Sequence, residues 1–496
     1  MRKITRTLTT TPNIGGRQTL RGTRYGLLAT ITLLAMVPGQ AAGQTLPGSK
    51  TKNPFPEPIH ASEDVIHVKV AEFATIPQVG QEAPRLNLLV DEPGTKRLFV
   101  HAMQGPIFSI SYDGRSVAEY LDVNAEKWGV QVQFSSHDRG FQSFAFHPEF
   151  NARGKRGYGK FYTYTDTANF AGKVDFMPNG PGHSHDTVLL EWTAKNPAEA
   201  TYDGGPPRQV FRTRKAFQIH NGGQIAFNPL AKPGSADYGL LYVGVADGGN
   251  GGDPFKHAQN LAFAFGKILR IDPLGTNSAN GQYGIPSTNP FVKNVKPGTL
   301  GEIYAYGCRN PQRFSWDPKN GNMFMADIGQ EVVEKVTLVK AGANLGWNIW
   351  EGSFTYGPGA VGVENRAGDK EVTYPIIEYD HTDPILQRLA AVTGVFAYRD
   401  KAIPQLTNKL IFGDNPSGEI FYVDADNLPK GGQDSIRRVL FDDKGTTRTV
   451  LQLIQEKMQS QGKTPPTRVD LRINLGQQGK IFIMNKFDGV IRVMLP

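Results

Sequence analysis

The stretch from residue 219 to residue 247 reads IHNGGQIAFNPLAKPGSADYGLLYVGVAD. It holds a His-Asn-Gly-Gly turn, a short apolar strand, a polar insert and a second apolar strand at 240–245, which ends just before Asp247. Short apolar runs bounded by Gly, Pro and Asp predict β-strands. The strand at 240–245 has a partner, GKILRI at 266–271, and this pair is one copy of a pattern that recurs six times. The other copies are 97–100 with 105–110, 160–164 with 187–192, 322–325 with 334–339, 409–412 with 418–423, and 480–484 with 489–493. No long helical pattern interrupts them.

Six copies over about 400 residues leave roughly 65–75 residues per unit, more than the about 40–50 of a four-stranded blade, so loops take up the excess. The expectation is an all-β fold, a six-bladed β-propeller, which protects its sheet edges by radial repetition. A β-sandwich with long insertions is the rival. The sixfold count and the strand at the end of the sequence favour the propeller. Function in such a fold belongs on loops at the mouth of the central channel.

Among the 496 residues, 56 Gly and 34 Pro suit many short strands joined by tight turns. Residues 1–43 stand apart. They carry Arg2, Lys3, Arg6, Arg17, Arg21 and Arg24 and no acid, then an apolar run at 25–37 and small residues up to Gly43. This is the pattern of an export signal cleaved near Gly43, and it implies a periplasmic or secreted protein. An uncleaved anchor is the other reading of the long basic region, although the apolar run is short for a span. No Arg-Arg pair supports the twin-arginine route. Residues 44–74 read as a lead-in with a strand signal at 65–70, and 75–496 as the propeller. The whole chain has 54 basic and 46 acidic residues, a net charge of +8; without the six basic residues of the signal it is 48 against 46, or +2. The basic balance therefore gives no argument for a nucleic-acid partner. The single cysteine, Cys308, excludes an internal disulfide.

His220 is a candidate general base, because imidazole titrates near neutrality. Its alternative is a hydrogen-bonded turn residue. Other turns carry more polar and glycine residues than linkers need: 137–150, 307–314, 326–331 and 342–347. Asp253, Lys256 and Gln259 lie on a Gly-rich loop after Asp247, a candidate pocket wall. His183 and His185 could take a metal through alternate residues or simply form a polar turn. Cys308, Trp347 and Trp350 read as core.

HNGGQIAFNP, GVADGG, FGKILRIDP, GCRNPQRFSWDP, MADIGQ and GANLGW, in this order between residues 220 and 347, resemble the soluble sugar dehydrogenases that use pyrroloquinoline quinone (PQQ). This is the glucose/sorbosone dehydrogenase family, and the resemblance covers roughly residues 75–496. It implies a six-bladed propeller that oxidises an aldose or related alcohol carbon by hydride transfer to the quinone, with Ca²⁺ in the site. Electrons would pass to an external acceptor. His220 matches the family's general base and Asp247 the acid that orients it. Asp138 falls where the family has a polar residue near the sugar. Arg309 and Asn310 match the pair on the quinone and carboxylate oxygens. Gly329 and Gln330 match positions whose backbone carbonyls ligate Ca²⁺.

Each role is physically sensible. A hydride leaves more readily when a base takes the hydroxyl proton, and a carboxylate behind the imidazole stabilises the imidazolium. A reduced quinone gathers negative charge, so a guanidinium fork and a cation should face it. Ca²⁺ accepts backbone carbonyls. One region departs from the family's glucose-oxidising members. The fifth-blade turn, 413–418, has no Lys, and Arg468 and Arg472 of the last blade fall off the expected register. Both arginines are either cofactor ligands or solvated strand ends. Two other functions therefore stay open: a propeller that binds carbohydrate or protein without turnover, and a Ca²⁺-dependent hydrolase of lactones or esters. The hydrolase would want a ring of acidic or Asn side chains at the metal, which the Gly329-Gln330 pattern lacks.

Overall fold

Alternating apolar residues on short strands need two covered faces, and a radial stack of sheets supplies them. The computed structural model describes residues 49–136, 138–293, 296–386 and 389–496. The segment expected to be an export signal lies outside the described residues. Among the described residues, four four-stranded sheets and one larger sheet that divides into two make six four-stranded blades, with one further small sheet beside them. The first is Leu86–Asp91, Arg97–Ala102, Pro106–Ser111 and Val117–Asp122. The second is Phe141–Phe146, Lys160–Thr167, His185–Thr193 and Arg208–Lys215. The third is Ile225–Phe227, Leu241–Val245, Lys267–Ile271 and Ile303–Tyr306. The fourth is Pro311–Trp316, Met323–Asp327, Val333–Val339 and Ile377–Asp380. The fifth is Val392–Tyr398, Lys409–Asp414, Ile420–Asp424 and Arg437–Asp443. The sixth joins Arg472–Leu475, Ile481–Met484 and Val490–Leu495 to Ile66–Thr75, a strand from the other end of the sequence.

Inner strands of each unit touch the next unit, and the contacts run round a closed ring. The fold is a β-propeller. All six strand pairs read from the sequence are present, and each is the second and third strand of its blade. The lead-in contributes the closing strand. Ile66–Thr75 runs antiparallel to Val490–Leu495, with Ala71 opposite Val493. Its other edge pairs in parallel with the fifth blade, Val68 opposite Phe441.

Two elements are absent from the sequence reading. A helix, Val450–Ser460, connects the fifth and sixth blades. Thr449 caps it by accepting from the Gln452 backbone N–H, and the Gln452 side chain returns to the Thr449 N–H, a reciprocal capping box. Its buried face, Val450, Leu453 and Ile454, joins the cluster that also holds Val68 and Leu471. The second element is an insertion in the fourth blade. Trp350–Glu351, Phe354–Gly357 and Ala360–Gly362 form a small sheet with Lys50–Thr51, and it delivers Trp347 and Glu351 to the functional end of the fold. Cys308 is fully buried among apolar side chains, as the sequence suggested.

Because Ile66–Thr75 closes the ring, a charge on its buried side should be costly. Val68 is 2% exposed, so Val68→Asp is expected to lower the unfolding free energy in urea by about 3 kcal/mol or more. Lys69→Gln, on the exposed side of the same strand, should stay within about 0.5 kcal/mol of the parent.

Candidate active site

The segments just before the first strands of the blades, and the turns after the second strands, all emerge at one end of the channel. Arg85, Asp138, His220, Arg309–Asn310, Ala390 and Asp470 stand just before the six first strands. Asp247, Gly329–Gln330 and Lys486 follow second strands. This placement brings together residues far apart in sequence. Asp138, His220, Arg309, Asn310, Gly329 and Gln330 line one cleft of about 380 Å³, with His381, Ile219 and Leu389 at its sides. Asp247 lies directly behind His220.

The His-Asn-Gly-Gly turn is shaped for this. His220 has φ of 56°, a left-handed conformation uncommon in residues other than Gly. Gly222 has φ of 104°, and a Cβ there would stand 2.6 Å from the Gly244 carbonyl oxygen. The chain can therefore turn tightly against the second strand and aim the imidazole across the cleft. His220 Nδ1 donates to Asp247 Oδ1 at 2.7 Å. The Gly249 N–H donates to the same oxygen at 2.9 Å, and Trp347 Nε1 donates to Asp247 Oδ2 at 2.8 Å. This network puts the imidazole proton on Nδ1 and leaves Nε2 as the acceptor. Arg309 Nη2 donates to it at 2.8 Å. Burial alone would raise the Asp247 carboxyl. The hydrogen bond of His220, with the Arg309 guanidinium and the Gly249 N–H, outweighs it and holds Asp247 below the ordinary carboxylate range.

Arg309 is fixed on three sides, since Nε also donates to Gln330 Oε1 at 3.0 Å and Nη1 to the Ile328 carbonyl at 3.0 Å. Its turn is held by Asp327, which accepts from the Arg309 and Asn310 backbone N–H groups at 3.1 and 2.7 Å and faces Lys335 at 3.3 Å. Asn310 Oδ1 is buried without a partner, an acceptor that a ligand in the cleft could satisfy.

The 329–333 loop spends its N–H groups on two buried carboxylates. Glu334 accepts from Gly329, and Glu351 Oε1 accepts from Gln330, Glu331, Val332 and Val333 at 2.7–3.0 Å. In an ordinary turn Val332 and Val333 would donate to the Gly329 and Gln330 carbonyls. Here those carbonyls are released from the turn, which suits a hard cation. Among the described residues, no cluster of three or more His, Cys, Asp or Glu side chains could hold a metal.

Arg468 and Arg472 stand apart from the cleft lining. Arg468 pairs with Asp470, and Arg472 is buried with Nε donating to Asn87 Oδ1 at 2.6 Å. They nonetheless share a field with Asp138, Arg85 and Lys486. Burial pushes Arg472 down to about 10, and burial followed by the Arg472 charge pushes Lys486 down to about 7. Arg85, Arg468 and Arg472 thus lie in one field with Asp138, Asp470 and Glu82.

Asp138 accepts from Asn221 Nδ2 at 3.2 Å, and Asn221 Oδ1 meets His185 Nε2 at 2.8 Å. His185 therefore supports the site from behind. Asp186 is held by Arg212 and Arg214, and His183 bonds to Asp186, so the 183–186 motif is structural. Asp253 caps the His257 and Ala258 N–H groups, and Gln259 bonds to Asn344 and the Trp347 carbonyl. Trp347, expected in the core, is fully buried but donates its indole N–H to Asp247. Asp327 lies in the 326–331 turn singled out from the sequence, whereas Glu334 and Glu351 carried no sequence signal beyond their acidity.

The family described as Glucose / Sorbosone dehydrogenase matches residues 89–457. "HIPL1 protein" of Arabidopsis thaliana is 29% identical over 364 residues, 66% of this chain and 50% of that one. "Hedgehog-interacting protein" of Homo sapiens is 28% identical over 228 residues, 45% of this chain and 29% of that one. The chain spans about half the length, or less, of these curated relatives. Among solved structures, the PQQ-bound aldose sugar dehydrogenase of Streptomyces coelicolor aligns with a TM-score of 0.53 and 18% identity. That alignment covers 87% of this chain and 99% of the other, a likeness of fold.

The Asp247 carboxylate yields a pH prediction. A folded pKa held below the unfolded 3.8 gives stability that is fully present above that value and lost as pH falls through the folded one. Asp247→Asn is therefore expected to cost about 1–3 kcal/mol in urea unfolding at neutral pH. The gap to the parent should close as the buffer is taken below the unfolded pKa.

Proposed function

Because the chain belongs to the glucose/sorbosone dehydrogenase family, we propose that it is a PQQ-dependent dehydrogenase that oxidises an aldose or related alcohol carbon. The observation that carries this reading is the imidazole of His220, bonded through Nδ1 to Asp247 and presenting Nε2 to the cleft. A substrate hydroxyl that replaces Arg309 as the donor to Nε2 gives up its proton there. Asp247 then stabilises the imidazolium, and Trp347 and Gly249 keep the carboxylate in place. Arg309 and Asn310 would hold the quinone and carboxylate oxygens, with Arg468 and Arg472 on the further carboxylates. The Gly329 and Gln330 carbonyls would hold Ca²⁺, and Asp138 would meet the sugar. Bound PQQ supplies the two-electron acceptor for the hydride, and an external acceptor takes the electrons onward.

Export after loss of residues 1–43 belongs to the same proposal, and the basic, acid-free start of the sequence supports it. Among the described residues, no helix is long and apolar enough to cross a membrane. A second reading, a propeller that binds a carbohydrate or protein without turnover, has two supports. The fifth-blade turn carries no cation, only buried Asp414 with Asn415, Pro416 and Ser417. One relative's name describes an interaction with Hedgehog.

Spectroscopic titration with PQQ and Ca²⁺, followed by dye reduction with a panel of sugars and alcohols, separates the two. Saturable PQQ binding and turnover are expected, and no binding would sink the dehydrogenase reading. His220→Ala should keep PQQ binding and lose about 10²–10⁴-fold in kcat. A near-normal rate would remove His220 from its role. Arg472→Leu should weaken PQQ binding while leaving the cleft's own residues in place.

A further inference from the structure

A larger cavity, about 670 Å³, lies along the channel axis toward the opposite end of the propeller. Its lining includes the C-terminal ends of first strands, such as Val90, Phe146, Trp316 and Leu475, whereas the cleft uses the segments before those strands. Its walls are apolar, with Leu89, Phe144, Ala226, Phe314, Val395 and Ile473 giving one side chain from each blade. Its size and apolar lining are those of small-molecule sites, which span about 300–1,000 Å³.

At its inner end stands Arg313, the lining residue with a positive charge. It is 3% exposed. Nη1 donates to the Gln312 carbonyl at 2.7 Å, and Nη2 to the Asn87 carbonyl and Oδ1 at 2.8 and 3.0 Å. Arg472 donates to the same Asn87 Oδ1, so two buried guanidiniums meet on one neutral amide. Among the described residues, neither forms an ion pair; Asp470 is engaged by Arg468. The lining carboxylate, Asp91, sits at the far end of its strand and accepts from the Tyr112 hydroxyl and the Gln477 N–H. The neighbouring His101 is fully buried and pushed down to about 3, first by burial and further by the Arg313 and Arg472 charges. A desolvated guanidinium without a counter-ion is costly by several kcal/mol, and an anion beside it removes that cost.

We propose that this channel is a second binding site, for an organic carboxylate with an apolar tail, whose carboxylate meets Arg313 and whose tail lies along the six apolar walls. None of the cleft residues lines this site, and the residue it shares with the redox reading is Arg472, through Asn87. Octanoate and octanamide share the tail and differ in charge, so calorimetric titration of the full chain with each is the test. Octanoate should bind and raise the melting temperature, and octanamide should bind at least about tenfold more weakly, a difference of 1.4 kcal/mol or more. Arg313→Gln should lose octanoate binding to the same degree. Ala226→Phe fills the channel but keeps both guanidiniums, and should block binding while still unfolding cooperatively. Equal affinity for octanoate and octanamide, or undiminished octanoate binding in Ala226→Phe, overturns the proposal. PQQ titration of Ala226→Phe should match the parent, which keeps this result separate from the fate of the cleft.

Discussion

Ring closure is the constraint on which everything else depends. A propeller blade on its own exposes two sheet edges, and an open ring would expose the first and last blades to edge pairing. Here Ile66–Thr75 occupies both edges at once. One side completes the sixth blade against Val490–Leu495, and the other pairs with Arg437–Asp443 of the fifth. Residues more than 400 positions apart are thus hydrogen-bonded neighbours, as Ala71 and Val493 are. The cleft inherits its geometry from that closure, since Asp138 on the second blade and Lys486 on the sixth share one field only if the ring is shut.

The same architecture explains what could be read from the sequence. Second and third strands are covered on both faces, so they are apolar runs such as Leu241–Val245 and Lys267–Ile271, and they stand out at once. First strands face the channel and carry polar groups there, among them Asn87, Gln142, Arg313, Thr393 and Arg472, which break the apolar pattern. Several are also bulged, with register shifts at Leu86/Leu88, Phe141/Ser143 and Thr393/Val395. Fourth strands are outer edges, and Val117–Asp122 alternates too weakly to be seen. The helix at Val450–Ser460 was legible in principle, because Thr449 and Gln452 have capping-box spacing, but its apolar face is only three buried residues.

The site was legible where chemistry depends on residue type and hidden where it depends on contact. His220, Asp247, Arg309 and Asn310 are conspicuous because their turns are rich in glycine and polar groups. Trp347 is not. Its indole is wholly buried, as the sequence suggested, yet its N–H meets Asp247 from 100 positions away. Glu351 is further removed still, since an insertion carries it beneath the 329–333 loop, where one oxygen takes four backbone N–H groups. No spacing rule connects those positions.

Charge divides the channel mouth into two halves with different work. On the third and fourth blades, the carboxylates of Asp247, Asp327, Glu334 and Glu351 are consumed internally. They accept backbone N–H groups and face His220, Lys335 and His381, so they stiffen the loops and offer little to a ligand. On the first and sixth blades the imbalance runs the other way. Arg85, Arg468, Arg472 and Lys486 share Asp138 and Asp470, and burial has already lowered Arg472 and Lys486. Acids spent on the backbone cannot neutralise cations across the mouth, because moving them would unmake the turns that hold Arg309 and Gly329. Basic side chains that cluster on this side of the mouth suit an anionic ligand.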